Sequence, residues 1–256
     1  MPPVRMPSAK VVMTTWAGAA TIGPGWALFS GRAGDNQPHR HPALQLVLGD
    51  GQPVCAEVAG RRIQSPGLLI GSNVPHALHP GPVWLMYVER ESIAGRRLAT
   101  ACGSEHLLGS DECEALRDHW VASPSDAERI AGLVDRLVGL AAAPATISHA
   151  ATRVLRIIAA LAQRPPESWS LAGMAAESAL SPSRFAHVFR AETGMPVRPY
   201  LRWLRLAIAL RAAAQGGSLT EAAHRAGFAD AAHFNRTMRR HFGVSPGSVL
   251  ASLRSG

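Results

Sequence analysis

Two stretches of the chain, 171–190 and 219–242, carry the same design. In the first, Leu171, Met174 and Ala175 form the apolar stripe of a short helix. Phe185, Val188 and Phe189 form a second stripe at i, i+3 and i+4. Between them Ser181 suits an N-cap, and Pro182 suits the first helical position, where its missing N–H costs nothing. In the second stretch Leu219 to Ala226 is the leading helix, Gly227 permits a turn and Asp230 can cap the trailing helix. Phe228, Phe234 and Phe242 supply the anchors. Helices this short are marginal alone in water, so they must close their stripes on one another. That leaves a polar face on each trailing helix: Ser183, Arg184, Ala186, His187 and Arg190, then Ala231, Ala232, Asn235, Arg236, Arg239 and Arg240. A tight two-helix unit with a polar, basic second helix is the helix-turn-helix arrangement, whose second helix enters the major groove of DNA. Pro199 to Gln215 has Leu201, Leu204, Ile208 and Ala212 at core spacing and predicts a rigid helix joining the units.

Charge divides the chain in the same way. Residues 1–149 hold 12 Lys and Arg against 13 Asp and Glu. Residues 150–256 hold 14 Arg against 5 acidic residues, so a net of +9 sits behind a net of −1. Only the second half is built to meet a polyanion such as double-stranded DNA. No apolar run reaches the roughly 18 residues of a spanning helix. Met1 to Lys10 has no apolar stretch of the secretory kind, and three cysteines make no disulfide framework. The expectation is a cytoplasmic protein with no membrane partner.

The pattern of the first 90 residues is different. Trp26–Phe29, Leu44–Leu48, Pro53–Val58, Leu68–Ile70 and Val83–Val88 are short apolar runs separated by turns such as Gly49-Asp-Gly51 and Gly60-Arg61. Strands at this spacing predict a β-sandwich or barrel. After Ser104 the periodicity becomes helical. Ser125-Asp-Ala-Glu128 reads as a capping box opening a helix to about Ala142, ended by Pro144, with Ile130, Leu133, Val134 and Leu137 on its apolar stripe. A further helix is predicted from Ser148 to Gln163.

The region from Ser148 to Ser252 resembles the DNA-binding domain of the AraC/XylS family of bacterial transcription regulators. The resemblance rests on Leu180-Ser-Pro-Ser-Arg-Phe185, Phe189-Arg-Ala-Glu-Thr-Gly194, Pro199-Tyr-Leu201, Arg205-Leu206, Ala226-Gly-Phe228, Phe234 and Phe242-Gly-Val-Ser-Pro246. Met238 and Ala222 depart from it, standing where an aromatic or branched residue and an Ile are usual. The resemblance implies base-reading positions at Ser183, Ala186 and His187 on the first recognition helix and Ala231, Ala232, Asn235 and Arg236 on the second. Arg184, Arg190, Arg239 and Arg240 suit phosphate contacts. RNA polymerase is a further partner consistent with the resemblance.

Residues 20–90 are similar to the cupin-like sensory barrel of many such regulators. The residues concerned are His39-Arg-His41 and Pro66 to His76. His39 and His41 would share one face of a strand. Gln45 stands where metal-binding cupins have Glu, and His76, or less favourably His79, would be the third His. No cofactor is required, although three imidazoles could hold a divalent metal. The same histidines could instead serve a pocket. Trp26, Trp84, Met86 and Tyr87 could frame a small-molecule effector inside the barrel. Cys102, His106 and Cys113 match no zinc spacing.

The expected fold class is α+β. Residues 1–100 would be a cupin-like β-barrel sensor and 101–146 a helical linker, its apolar stripe docking on the barrel or joining a homodimer. Residues 147–256 would be an all-α domain with two helix-turn-helix units. The function implied is a sequence-specific transcription regulator controlled by an effector and not an enzyme. The rivals are a cupin metalloenzyme or metal sensor with an appended DNA-binding domain, and a constitutive architectural DNA binder.

Overall fold

A computed structural model describes residues 16–139 and 148–254, apart from 24, 35, 162, 163 and 165. The strands are β1 (Ala17–Gly23), β2 (Trp26–Ala33), β3 (Leu44–Gly49), β4 (Val54–Val58), β5 (Arg61–Ser65), β6 (Gly67–Ile70), β7 (His76–Leu78), β8 (Gly81–Val88) and β9 (Glu105–Leu108). They form a six-stranded sheet in the order β1-β2-β8-β3-β6-β9 and a three-stranded sheet in the order β5-β4-β7. All pairings are antiparallel. At the β4–β5 hairpin Ala59 and Gly60 both have positive φ, as a tight turn between twisted strands requires.

β3 is buried on both sides. Leu44, Leu46 and Leu48 face one way and join Met86 and Val88 beneath three helices: α1 (Ile93–Ala101), α2 (Ser110–Ala122) and α3 (Asp126–Gly139). Val47 faces the other way. There Phe29, Leu68, Ile70 and Leu85 of the large sheet meet Val54, Ala56, Val58 and Leu78 of the small one. The expected closed barrel is therefore two open sheets face to face. Apolar contact, and not a continuous hydrogen-bonded ladder, closes the gap between them, and Pro66 marks the point where the chain changes sheet.

The switch to helix after Ser104 also needs correction. α1 begins earlier, and Glu105–Leu108 returns to the large sheet as β9 by pairing with the otherwise open edge of β6. Ser125 caps α3, its Oγ accepting the Glu128 N–H at 3.3 Å, but Glu128 takes the Ser125 hydroxyl at 2.9 Å and not its backbone N–H, so the predicted box is not reciprocal. Ala142 and Pro144 lie outside the described residues. Ile130, Leu133, Val134 and Leu137 are buried against α1, α2 and the sheet, so this stripe docks on its own chain.

The basic half is helical: α4 (His149–Leu161), a 3-10 turn (Pro166–Ser168), α5 (Leu171–Glu177), α6 (Pro182–Thr193), α7 (Val197–Ala214), α8 (Leu219–Arg225), α9 (Ala231–Phe242) and α10 (Pro246–Arg254). The predicted extension of α4 over residues 162 and 163 lies outside the described residues. α7 is the predicted joining helix. Its Tyr200, Trp203 and Leu204 pack with α4, α5 and α6, while Leu206, Ala209 and Leu210 pack with α8 and α9. Among the described residues no helix is long and apolar enough to cross a membrane.

Leu46, fully buried at the centre of β3, tests this layering. Leu46→Ala should lower unfolding free energy in urea by about 2–5 kcal/mol. Cys55→Ala, on the exposed side of β4, should stay within about 0.5 kcal/mol of the parent.

Candidate nucleic-acid interface

Each recognition helix is fixed at both ends. Ser181 Oγ accepts the Arg184 N–H at 3.2 Å with Pro182 at N1, and α6 ends at Gly194 with φ 76°. Asp230 accepts the His233 N–H at 2.5 Å, and α9 ends at Gly243 with φ 70°. The leading helix α8 opens with a reciprocal box between Ser218 and Glu221. Phe185, Val188 and Phe189 of α6, and Phe234, Thr237 and Met238 of α9, are buried. The opposite faces are open. Ser183, Arg184, His187 and Arg190 are exposed on α6, as are Ala232, Arg236, Arg239 and Arg240 on α9. Ala186, Ala231 and Asn235 are half-buried beside them. One contact was not legible in the sequence: Arg239 Nε donates to Asn235 Oδ1 at 3.2 Å. Arg239 thus orients the neighbouring amide.

Behind this surface the helical half presses on the β region. A cavity of about 140 Å³ is walled by Trp26, Phe29, Tyr87, Trp203, Met238 and Phe242. It is not the interior of a barrel. Of the four residues expected to frame a barrel interior, Trp26 and Tyr87 line this cavity instead, whereas Trp84 lies tilted against Trp120 and Met86 is buried under the helices. Glu89 and Arg211 are the charged members of its wall. Arg211 Nη2 donates to the Gly23 carbonyl at 3.3 Å, and the Tyr200 hydroxyl donates to Glu91, a second tie between the halves. Burial, then the neighbouring Glu91 charge, push Glu89 up to about 8 against the pull of Arg211. The hydrogen-bonded pairs Tyr200–Glu91 and Arg211–Gly23 lie more than 100 residues apart in the chain, and no sequence spacing announces them.

His39, His41 and His76 come together, but His39 and His41 do not share a strand; His76 opens β7. His39 lies in an irregular segment and makes a single bridge to β7, exchanging N–H···O bonds of 2.9 Å with His76 in both directions. The ring centroids are 4.4, 4.9 and 5.7 Å apart. Their nearest ligand-capable nitrogens lie within 4.8 Å of one another. All three rings are buried, whereas His79 is exposed. Burial depresses His39 to about 3, aided by His76, and it also lowers His41 and His76. Gln45 Oε1 is 3.0 Å from His41 Nε2. Cys102, His106 and Cys113 form no comparable group among the described residues. Both cysteines are free and packed in the core, with the Cys102 thiol pushed up to about 11 by burial.

Two capped helix-turn-helix units on one joining helix, behind a β region, define a helix-turn-helix protein with an N-terminal β half. Known proteins share these features. A helix-turn-helix domain family matches residues 174–252. An AraC-like transcription regulator of Streptomyces lividans is 26% identical over 184 residues, covering 71% of this chain and 55% of that protein. The chain thus spans about half the length of the curated relatives it matches. ToxT from Vibrio cholerae O395 shares the fold with a TM-score of 0.63 at 10% identity, covering 91% of this chain and 99% of that one. Unsaturated fatty acid bound wild-type ToxT from strain SCE256 aligns with a TM-score of 0.62 at 9% identity, covering 91% and 98%. The helix-turn-helix half of the chain is thus similar in sequence to AraC-like regulators, and the whole described chain is similar in fold to ToxT.

The buried groups set a pH dependence. The histidines titrate lower in the fold than their ordinary 6.5, so their contribution is present above pH 6.5 and lost as pH falls. Glu89 titrates higher than its ordinary 4.5, so its contribution is lost as pH rises toward 8. Melting temperature should peak near pH 6.5, and Glu89→Gln should flatten the decline between 6.5 and 8. A wild-type melt still rising across that interval would contradict the assignment.

Proposed function

We propose that the chain is a transcription regulator that reads duplex DNA with α6 and α9 and answers to an acidic amphiphile held between its halves. The observation that carries the reading is the pair of recognition helices. Each has its apolar side buried, both ends capped, and a polar, mostly basic side left to solvent. Arg236 can grip guanine and Asn235 adenine through paired hydrogen bonds, each worth about 1–3 kcal/mol of discrimination. His187 can donate to guanine or phosphate. Ser183, Ala186, Ala231 and Ala232 offer small contacts, such as packing on a thymine methyl. Arg184, Arg190, Arg239 and Arg240 suit phosphates, which position the helices without reading sequence.

The interdomain cavity supports control by an effector. Its wall is almost wholly apolar, and below about pH 8 Glu89 is protonated, which leaves Arg211 as its net charge. An acidic amphiphile fits that arrangement. The fatty acid bound form of ToxT, which shares the fold, points to the same class.

In vitro selection from a random duplex pool tests the DNA reading. The parent should enrich a defined consensus. Arg236→Ala should relax it at a single base pair, whereas Arg240→Ala should keep the consensus and weaken all duplexes alike, with a salt slope shallower by about 0.9. An unchanged consensus with Arg236→Ala removes it as a reader.

For the effector, tryptophan fluorescence should respond to an unsaturated fatty acid, since Trp26 and Trp203 line the cavity. Arg211→Gln should weaken that binding by about tenfold or more. A parent protein whose fluorescence does not respond would argue against this class.

A further inference from the structure

The buried histidines show a consistent tautomer. His39 Nδ1 lies 2.8 Å from the Gln37 carbonyl, His41 Nδ1 3.1 Å from the Ala43 carbonyl, and His76 Nδ1 2.9 Å from the Val74 carbonyl. A carbonyl only accepts, so each Nδ1 carries the proton and donates. Burial keeps the rings neutral, which leaves a lone pair on every Nε2. That is how imidazoles are prepared as metal ligands, with the second nitrogen fixed by a backbone carbonyl. The lone pairs are poorly used otherwise. His76 Nε2 is buried with no hydrogen-bond partner among the described residues. His41 Nε2 faces Gln45 Oε1, so two lone pairs confront each other at 3.0 Å unless the amide turns over or a cation lies between them. Gln45 reaches this place because the alternation of β3 turns it away from Leu44 and Leu46.

The same cluster touches the ends of both recognition helices. The His41 ring lies 5.9 Å from Phe242, the last residue of α9, and 6.0 Å from Trp203 of α7. At Gly243, the α9 cap, an added Cβ would come within 2.6 Å of the Gln37 carbonyl, so the two backbones are in close contact. On the other side the Asn73 N–H donates to the His41 carbonyl at 2.8 Å. Its side chain donates to the carbonyl of Gly194, the α6 cap, at 3.2 Å.

We propose that His39, His41 and His76, with the Gln45 amide oxygen, bind a divalent first-row transition ion, and that the ion fixes segments 36–43 and 73–76 against the caps of both recognition helices, so that metal content sets DNA affinity. Three imidazoles and an amide suit Zn, Ni, Cu or Fe and are a poor match for Mg or Ca. The coupling, though not the metal site, rests on the DNA-binding reading above.

The test uses the full chain, stripped with a chelator and titrated separately with Zn²⁺ and Ni²⁺. An equimolar ion should remain after desalting and raise the melting temperature. His76→Asn keeps a side-chain N–H for the Val74 carbonyl while removing Nε2, and it should lose about tenfold or more in metal affinity. If it does not melt cooperatively, His39→Asn makes the same removal at its neighbour. A parent that retains no ion, or a folded variant that retains as much as the parent, overturns the site.

Coupling is read with the duplex recovered by selection. Stripped and Zn²⁺-loaded parent should differ in Kd by about fivefold or more, and His76→Asn should show no difference. Equal Kd values for a parent that holds its ion overturn the coupling. An ion held by a protein that binds no duplex in either state overturns the DNA reading and the coupling with it, while supporting the metal site.

Discussion

Both helix-turn-helix units and their seam with the β region lean on α7. A two-turn helix and its partner cannot bury enough apolar surface to stand in water, and here two such units share one 18-residue helix. Tyr200, Trp203 and Leu204 complete the first unit, and Leu206, Ala209 and Leu210 complete the second. The helix has a third obligation, to the β region. Tyr200 bonds Glu91, Arg211 bonds the Gly23 carbonyl, and Trp203 and Leu210 help wall the cavity. A rigid rod with three committed faces cannot shift at one without disturbing the others. That is the physical ground for expecting a ligand between the halves to be felt at the DNA surface.

The sequence is most legible where large apolar residues repeat with a clear period. The runs at Leu44–Leu48 and Val83–Val88 form β3 and β8, and the stripes through Phe185 and Phe234 form α6 and α9. β1 is invisible in the sequence because Ala-Gly-Ala-Ala-Thr-Ile-Gly has almost nothing to bury. It exists because β2 offers a full edge to pair with. β9 escapes notice for a similar reason, being four residues that the free edge of β6 organises. The closed barrel fails because strand spacing does not say whether two sheets join through hydrogen bonds or through side chains.

The sites divide in the same way. The exposed face of a helix follows from its buried face, so the positions from Ser183 to Arg240 can be placed from the sequence alone. The histidines, grouped by spacing, do converge, but by a bridge from an irregular segment to β7 and not by strand alternation. The cavity lies elsewhere than the expected barrel interior. Its wall joins residues from opposite ends of the chain, and only tertiary packing brings Trp26 to Trp203 and Phe242. Met238, an unusual core residue for the second unit, lines it. A flexible side chain there suits a wall that must adapt.

The glycine that ends α9 has a meaning beyond its turn. Because its backbone lies against that of Gln37, the α9 cap was shaped around residues of the other half. Separating the halves would expose Phe242, Trp203 and Val244 as one bare apolar face, the kind of patch that drives association. In evolutionary terms, moving the basic half onto a different partner domain would leave that face bare unless the seam were rebuilt with it.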